Sequence, residues 1–317
     1  MQRLPIRIAT RRSPLALAQA NLVARCLRSS HNLTKDDIEI VPITTHGDQI
    51  LDHPMSEIGG KGMFTKEIED TLLSNNADLA IHSMKDVATL LPNGLEIAAI
   101  LKREDPRDVL ISRNSARSIT DLPTQSTLGT ASLRRAAQVK SLRPDIKIVM
   151  LRGNVGTRLE KVRAGHVGAT LLAKAGLSRL GIEPDGSAIL SDEEMLPAVG
   201  QGAIGIEIRK NDDEARIIIA PLNHELTELA VRAERAFLRA LDGSCRTPIA
   251  ALACLIDGTL SLRGLISTPD GSIIHRTEKT GPGKKADEIG RNAGEQLLDK
   301  AGHDFLQTKV SKALMEK

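Results

Sequence analysis

The chain has 317 residues, of which 41% are hydrophobic and 26% charged, as in a globular protein of two or three domains. A net charge of +3, no Trp or Tyr and only three Phe argue against nucleic-acid binding, which relies on concentrated positive charge or on aromatic stacking. The three cysteines, irregularly spaced, predict neither a disulfide framework nor a metal site. No stretch predicts a signal peptide or a membrane span, so we expect a cytoplasmic protein with no membrane partner.

Short strand-like runs alternate with amphipathic helical segments up to about residue 220. The first series predicts strands at 6–10, 38–44, 79–83 and 95–101, with helices near 14–28 and 61–74. The second predicts strands at 109–112, 127–131, 146–151 and 169–173, with helices near 133–142 and 155–164. Such alternation is typical of parallel, doubly wound sheets.

The pattern changes after about residue 224. A long helix near 225–241 precedes three strand-like runs at 249–256, 259–266 and 272–278, and a final helix spans about 284–301. Asp-Gly pairs between these runs accept the positive φ of hairpin turns. The last third of the chain is therefore predicted to be a smaller α+β domain with an antiparallel sheet.

Arginines recur where predicted strands run into helices. Ser13, before Pro14, is a predicted N-cap next to Arg11 and Arg12, and Ser132 is a second beside Arg134 and Arg135. Thr157 and Glu160 form a predicted capping box beside Arg158, and Arg152 precedes this helix. Arginine in a first helical turn opposes the helix dipole, so its recurrence at helix starts needs an explanation. Either these arginines bind an anionic ligand, or they are merely solvated at the surface.

Two further segments carry reactive side chains. HSMKD ends a strand and places Asp86 where a carboxylate could stabilise positive charge or move protons, or could simply form an ion pair. Cys245 lies in a loop between Gly243 and Pro248, whereas Cys26 and Cys254 fall within apolar elements and are expected in the core. GGKGMF (59–64) lacks the spacing of a nucleotide-binding loop, and GQGAIG (200–205) lacks the helix of a dinucleotide fingerprint.

Motifs along nearly the whole chain resemble those of the hydroxymethylbilane synthase (porphobilinogen deaminase) family. They occur in family order as IATRRSPLALAQA, GGKGMFTKEIE, DLAIHSMKD, REDPRD, GTASLRR, LRGNVGTRL, LPAVGQGAIGIE, AERAFL and GSCRTPIA. The resemblance implies two doubly wound domains of the periplasmic-binding-protein type and a C-terminal cofactor-bearing domain. We expect domain 1 at 1–101 and 203–221, domain 2 at 107–196 and the last domain at 224–317, with the strand after Gly205 returning to domain 1.

The resemblance also implies a chemistry. Four porphobilinogen molecules are deaminated and joined head to tail into hydroxymethylbilane, with release of ammonia, in tetrapyrrole (haem) biosynthesis. The matching cysteine, Cys245, carries a dipyrromethane cofactor through a thioether, and the matching aspartate, Asp86, is the central catalytic residue that stabilises the cation formed when ammonia leaves. The family is usually monomeric, and no metal is implied.

The remaining site residues follow from the same resemblance. Cofactor contacts are expected from Asp86 and from Ser83, Lys85, Thr130, Ser132, Arg134, Arg135, Arg152 and Arg158. Substrate contacts are expected from Arg152 and Arg158 again, and from Arg11, Ser13, Lys61, Phe64, Arg179 and Gln201.

A few positions depart from the commoner family pattern. Ala88 replaces a frequent proline, Arg246 and Thr247 replace Gln-Val, and Lys174 stands where small or apolar residues are frequent, but none of these removes a catalytic group. The alternative function is a hinged receptor that binds anions without catalysis, because two doubly wound lobes with a cationic crevice describe such receptors as well.

Overall fold

The computed structural model describes residues 4–46, 65–243, 247–302 and 305. Within them the chain forms two compact units. Unit 1 takes its described residues from 4–104 and 203–228, and unit 2 from 105–202 and 229–305.

Unit 1 is built on a five-stranded sheet. Its described strands are β1 (Ile6–Arg11), β2 (Ile38–Ile43), β3 (Leu79–Ser83), β4 (Leu95–Ile100) and, from much later in the chain, β10 (Ile204–Arg209). Its described helices are α1 (Pro14–His31), α2 (Lys66–Leu73) and α6 (Asp213–Ile219). The strand order is β2-β1-β3-β10-β4, so β10 lies between β3 and β4.

Helices cover both faces of this sheet. Helix α1 begins at the Ser13 N-cap with Pro14 in its first turn, and it ends at Asn32, which has a left-handed φ of 53°. Its apolar stripe, including Val23 and Leu27, packs against β1, β3 and β10. Helix α2 covers the other face with Ile68 and Leu72. Strand ends between these helices are thereby held in fixed positions.

Unit 2 contains a second five-stranded sheet. Its strands are β5 (Asp108–Ser112), β6 (Thr127–Gly129), β7 (Lys147–Val149), β8 (Ala169–Ala173) and β9 (Ser187–Ile189). Its helices are α3 (Leu133–Leu142), α4 (Val155–Arg163) and α5 (Lys174–Leu180). The order β7-β6-β8-β5-β9 repeats the arrangement of the first sheet, position for position.

Both sheets are mixed, whereas the alternation of strands and helices predicted parallel ones. β1 runs parallel to β2 and β3, but β10 runs antiparallel to both of its neighbours. β6 likewise runs parallel to β7 and β8, while β5 is antiparallel to β8 and β9. The two antiparallel strands are those adjacent to the segments where the chain passes from one unit to the other, so no crossover helix sets their direction.

A three-stranded antiparallel sheet completes unit 2. Its strands are β11 (Ile249–Ile256), β12 (Thr259–Ser267) and β13 (Ile274–Pro282), and the helices α7 (Glu225–Ala240) and α8 (Ala286–Ala301) cover one face. Asp257 and Gly258, with φ of 48° and 75°, form the predicted hairpin turn. Phe237 of α7 packs so closely on Gly264 that a Cβ there would lie 2.5 Å from its ring.

The fold class predicted from the sequence is confirmed, with two doubly wound α/β sheets and a smaller antiparallel α+β region. Among the described residues, no helix combines the length and apolar character needed to cross a membrane.

Candidate active site

In unit 1, the end of β1 lies beside the end of β3. Arg11 is the last residue of β1, and its Nη1 is 4.0 Å from Oδ2 of Asp86, with the two side chains 24% and 32% exposed. Ser13 caps α1 as predicted, because its Oγ accepts the N–H of Ala16 at 3.4 Å. The structure thus brings together Arg11 and Asp86, which come from two separate sequence motifs.

A tight turn presents Lys85 and Asp86 at the surface. β3 ends at Ser83, and Met84–Asp86 form one 3₁₀ turn in which Met84 is buried and the two following residues are partly exposed. The N–H of Met84 donates to the carbonyl of Ala203 at 3.0 Å, which fixes the turn to the chain entering β10. The Asp86 carboxylate is therefore held on a rigid strand end and is open to a ligand.

Ser83 has a partner that the sequence did not reveal. Its hydroxyl exchanges hydrogen bonds with the buried amide of Gln19, at 2.8 Å from Nε2 and 3.1 Å to Oε1. In the sequence, Gln19 could have been noticed as a polar residue on the otherwise apolar face of α1. Gln19 fixes the rotamer of Ser83 beside the Lys85–Asp86 turn.

On the opposite face of β3, a buried polar cluster lies beneath α2. His82 Nε2 is 2.9 Å from Oε2 of Glu207, and both side chains are almost fully buried. Glu69 of α2 is also buried, and burial, reinforced by the charge of Glu207, raises its pKa above the ordinary value of 4.5.

In unit 2, the turn from β6 into α3 is built by two hydroxyl groups. Ser132 caps α3 as predicted, accepting the N–H of Arg135 at 3.4 Å. Its own N–H donates to Oγ1 of the buried Thr130 at 3.1 Å. These bonds fix the first turn of α3, from which Arg134 and Arg135 project.

Arg134 and Arg135 are buried against one carboxylate. Arg134 Nη1 lies 2.8 Å from Oδ2 of Asp108, and Arg135 Nη2 lies 2.6 Å from its Oδ1. Burial alone would raise the pKa of Asp108, but the attraction of both guanidinium groups lowers it well below its usual value. Asp108, which no sequence signal marked as a site residue, carries one negative charge against the two positive charges that it contacts.

Arg135, Arg152 and Arg158 form what we call the arginine cluster. Burial, together with repulsion from Arg135 and Arg152, lowers the pKa of Arg158 from 12.5 to about 10. Its Nε donates to the carbonyl of Gly153 at 2.9 Å. Repulsion between guanidinium groups that remain charged at neutral pH is what an anionic ligand would relieve.

The predicted capping box of the helix bearing Arg158 was wrong. Asn154 is the N-cap of α4, since its Oδ1 accepts the N–H of Thr157 at 2.9 Å, and Thr157 lies inside the helix. The helix therefore starts before Thr157, and a Thr157–Glu160 box cannot form there.

Two other predicted substrate residues are engaged within unit 2. Arg179 Nη2 donates to the carbonyl of Gly202 at 2.6 Å. Gln201 is buried, and its Nε2 donates to the carbonyl of Pro106 at 2.6 Å and to Oδ1 of Asp108 at 3.1 Å.

Three nominated residues, Lys61, Phe64 and Cys245, lie outside the described residues, as does Arg246. Of the other cysteines, Cys26 is half-buried against the core of unit 1. The prediction that Cys254 is a core residue was wrong, because its side chain is exposed. Ala250 and Leu252, on the same face of β11, pack against Leu196. Cys254 lies farther along the strand, where this packing has ended.

Two family models match this chain, the porphobilinogen deaminase dipyrromethane cofactor binding domain over residues 6–217 and the porphobilinogen deaminase C-terminal domain over residues 228–299. A porphobilinogen deaminase of Syntrophobacter fumaroxidans is 48% identical over 302 residues, covering 95% of this chain and 97% of the relative. The chain belongs to the porphobilinogen deaminase family. It is accordingly an enzyme of the transferase class with hydroxymethylbilane synthase activity, and the receptor alternative is not favoured.

Two solved structures resemble the chain at low sequence identity. The periplasmic VFT2 domain of Bordetella pertussis BvgS is 15% identical, with 68% of this chain and 84% of that one covered at a TM-score of 0.38. A periplasmic binding protein of Brucella ovis with glutathione bound is 13% identical, with 75% and 68% covered at a TM-score of 0.42.

The side chains of unit 2 fit the cofactor of the porphobilinogen deaminase family. A dipyrromethane in tetrapyrrole biosynthesis carries carboxylate side chains, and the arginine cluster offers forked, partly desolvated guanidinium groups held by backbone and carboxylate contacts. These residues suit a polyanion of that kind.

Proposed function

We propose that this chain deaminates porphobilinogen and joins four molecules head to tail, using Asp86 at the reacting atoms and the arginines of unit 2 to hold carboxylates. The observation that carries the proposal is the group of arginines at the starts of α3 and α4, where Ser132 caps the helix with Arg135 and Arg158 Nε donates to the carbonyl of Gly153 at 2.9 Å. This arrangement, with the lowered pKa of Arg158 among like charges, supports a binding site for anions. Family membership supports the identity of the anion.

Carboxylate recognition is the role of the arginines. Each porphobilinogen brings an acetate and a propionate group, so a lengthening product accumulates negative charge that has to be matched. Arg134, Arg135, Arg152 and Arg158 donate forked hydrogen bonds to these groups, and Thr130 and Ser132 shape the turn beneath them. Partly dry surroundings strengthen each of these bonds.

Asp86 acts on the ring itself. Its carboxylate accepts hydrogen bonds from pyrrole N–H groups, stabilises the positive charge that develops as ammonia leaves, and moves protons at Oδ1 or Oδ2. Arg11, whose Nη1 lies 4.0 Å from Oδ2, orients this carboxylate. Lys85 adds hydrogen-bond donors next to it, and Ser83, held by Gln19, precedes the turn.

The cofactor is held at Cys245 through a thioether. When bound, it supplies the free pyrrole position at which the first substrate unit is added. Ser13, Lys61, Phe64, Arg179 and Gln201 complete the incoming-substrate side in this proposal. We further propose that the protein is a cytoplasmic monomer with three domains, at 1–101 with 203–221, at 107–196 and at 224–317.

Mass spectrometry of the intact purified chain tests the attachment. We expect a mass excess equal to two linked pyrroles, lost in Cys245→Ser together with turnover of porphobilinogen. Cys254→Ser, which removes an exposed thiol, is the matched control and should keep both the adduct and the activity. An unmodified wild-type chain that acquires no adduct from porphobilinogen would overturn the assignment.

Asp86→Asn tests the catalytic carboxylate. We expect kcat for ammonia release to fall by at least about a hundredfold, since general acid–base and electrostatic assistance are lost together. The unfolding midpoint should be unchanged because the side chain is partly exposed. Asp36→Asn, at an exposed position of the same unit, is the control. A kcat for Asp86→Asn close to that of the control would remove Asp86 from the chemistry.

A further inference from the structure

We propose that Asp108 is a positioning residue for the reaction, which orients the guanidinium groups of Arg134 and Arg135 toward the carboxylates of substrate and cofactor. The proposal rests on the function proposed above. Nothing in the motif analysis or the family resemblance gave Asp108 a role.

The Asp108 side chain is fully buried at the first position of β5. Its carboxylate is contacted by Nη1 of Arg134 at 2.8 Å, Nη2 of Arg135 at 2.6 Å and Nε2 of Gln201 at 3.1 Å. A carboxylate with no exposed surface cannot touch a substrate. Its influence on the reaction therefore passes through the arginines.

Each arginine is also bound by a second, independent acceptor. Nη1 of Arg134 donates to the carbonyl of Leu196 at 2.7 Å, and Nη1 of Arg135 donates to the carbonyl of Leu171 at 2.9 Å. The amide of Gln138 holds Leu196 in turn, accepting its N–H at 2.8 Å and donating to its carbonyl at 3.1 Å. Two acceptors at different places fix a planar guanidinium group, so both groups are oriented before any ligand arrives.

Asp108 also supplies a negative charge next to the positively charged arginine cluster. Arg135 repels Arg158, and Asp108 is the carboxylate that pairs with Arg135. A buried charge left unpaired is strongly unfavourable. The Asp108 carboxylate therefore allows Arg135 to stay charged and correctly placed next to Arg158 and Arg152.

The test compares Asp108→Asn with Asp145→Asn. Asp145 is also paired with arginine, through Nε and Nη2 of Arg143 at 2.7 Å and 2.8 Å, but it is 30% exposed and Arg143 is not part of the arginine cluster. For Asp108→Asn we expect KM for porphobilinogen to rise about tenfold with kcat within about threefold of wild type. Asp145→Asn should leave both values unchanged. Unchanged KM in a folded Asp108→Asn protein overturns the proposal.

A double-mutant cycle separates positioning from general stability. If Asp108 acts through its two arginines, adding Asp108→Asn to the Arg134→Gln/Arg135→Gln variant should not raise KM further, whereas a further rise overturns the proposal. The combined variant removes the carboxylate together with both arginine partners, so this comparison remains available if Asp108→Asn alone does not fold. Asp108→Glu, which keeps the charge, should restore KM toward wild type.

Two readouts are independent of turnover. Intact mass gives the fraction of chains that carry the cofactor, which we expect to fall in Asp108→Asn and not in Asp145→Asn. The unfolding midpoint of each variant shows whether the chain is folded when KM is measured. Absence of porphobilinogen turnover in the wild-type chain would reject the proposed function, whereas an Asp108→Asn enzyme with normal KM and normal cofactor content rejects only the role of Asp108.

Discussion

Arg158, proposed above to bind carboxylates, carries a positive charge that opposes folding. Its pKa of about 10 lies below the ordinary 12.5, so below pH 10 its protonated form costs folding free energy that the unfolded chain does not incur. We therefore expect Arg158→Gln to leave the ligand-free chain as stable as before or more stable by about 1 kcal/mol. The same change should raise KM for porphobilinogen by about tenfold, equivalent to about 1.4 kcal/mol.

Stability is measured by chemical unfolding at pH 7 in the Cys245→Ser background, which removes the proposed cofactor attachment from every chain compared, and KM is measured in chains that keep Cys245. Arg163→Gln on the same helix is the control, because Arg163 is exposed and only paired at 4.0 Å with Glu160. It should change neither stability nor KM. A clear loss of stability in Arg158→Gln would show that the charge is compensated in the ligand-free protein.

Among single residues, the sequence predicts roles that depend on neighbours in the chain. It does not predict roles that depend on distant partners. Ser13 and Ser132 were identified as caps because a hydroxyl before a helical run acts within three residues. The capping-box spacing of Thr157 and Glu160 predicts a cap at Thr157, whereas Asn154, whose residue type also caps helices, occupies that position. Asp108 and Gln19 could not be identified, since their partners are distant in the chain.

At the level of elements, Glu69 couples the packing of α2 to pH. Its raised folded pKa means that the unfolded chain releases the proton first as pH rises above 4.5, so stability falls as pH rises through the folded pKa. We expect Glu69→Gln to show a smaller loss of unfolding free energy between pH 5 and pH 8 than wild type. Asp36→Asn, at an exposed position of the same unit that does not act on Glu69, should keep the wild-type dependence. Identical profiles for wild type and Glu69→Gln would contradict this reading.

Gly205 is required by the close approach of β10 to the turn that bears Asp86. A Cβ on Gly205 would lie 2.2 Å from Sδ of Met84, which is itself buried. We expect Gly205→Ala to destabilise the protein by about 1–3 kcal/mol, because the added Cβ displaces Met84. We also expect kcat to fall, because Met84 lies in the same turn as Asp86. Thermal unfolding and steady-state kinetics check both effects.

Two variants serve as references for Gly205→Ala. Adding Met84→Ala should relieve the clash and restore part of the lost kcat. Gly156→Ala on α4 meets nothing closer than 3.5 Å and should be neutral. Normal stability and kcat in Gly205→Ala would show that Met84 repacks freely.

Helices with an amphipathic pattern over several turns were predicted correctly. Short elements and the direction of strands were not. The helices at 14–28, 133–142 and 225–241 were found because their apolar faces extend over several turns. The short helix Lys174–Leu180 and the strand Ser187–Ile189 were not predicted, since so few residues carry little periodic signal. Strand direction depends on which strands become neighbours, and that pairing involves residues a hundred positions apart.

At the scale of the whole molecule, the sheet of unit 1 depends on β10, which follows all five strands β5–β9 of unit 2 in the chain. A chain ending at residue 202 lacks β10 and leaves β3 and β4 without the strand between them. We expect it to lose cooperative thermal unfolding of unit 1, whereas a chain ending at residue 223 should retain it, because β10 and α6 are then present. Far-UV circular dichroism of the two fragments makes the comparison. Equal cooperativity in both would mean that β1–β4 form a stable sheet without β10.

The late position of β10 also affects how the protein is synthesised. β4 is complete at Ile100, but its neighbour begins at Ile204, so on the ribosome two strand edges of the nascent sheet stay unpaired while the intervening residues are translated. Exposed edges of that kind invite aggregation. A cell that slowed translation between these strands would lengthen the interval in which the nascent chain needs chaperone protection.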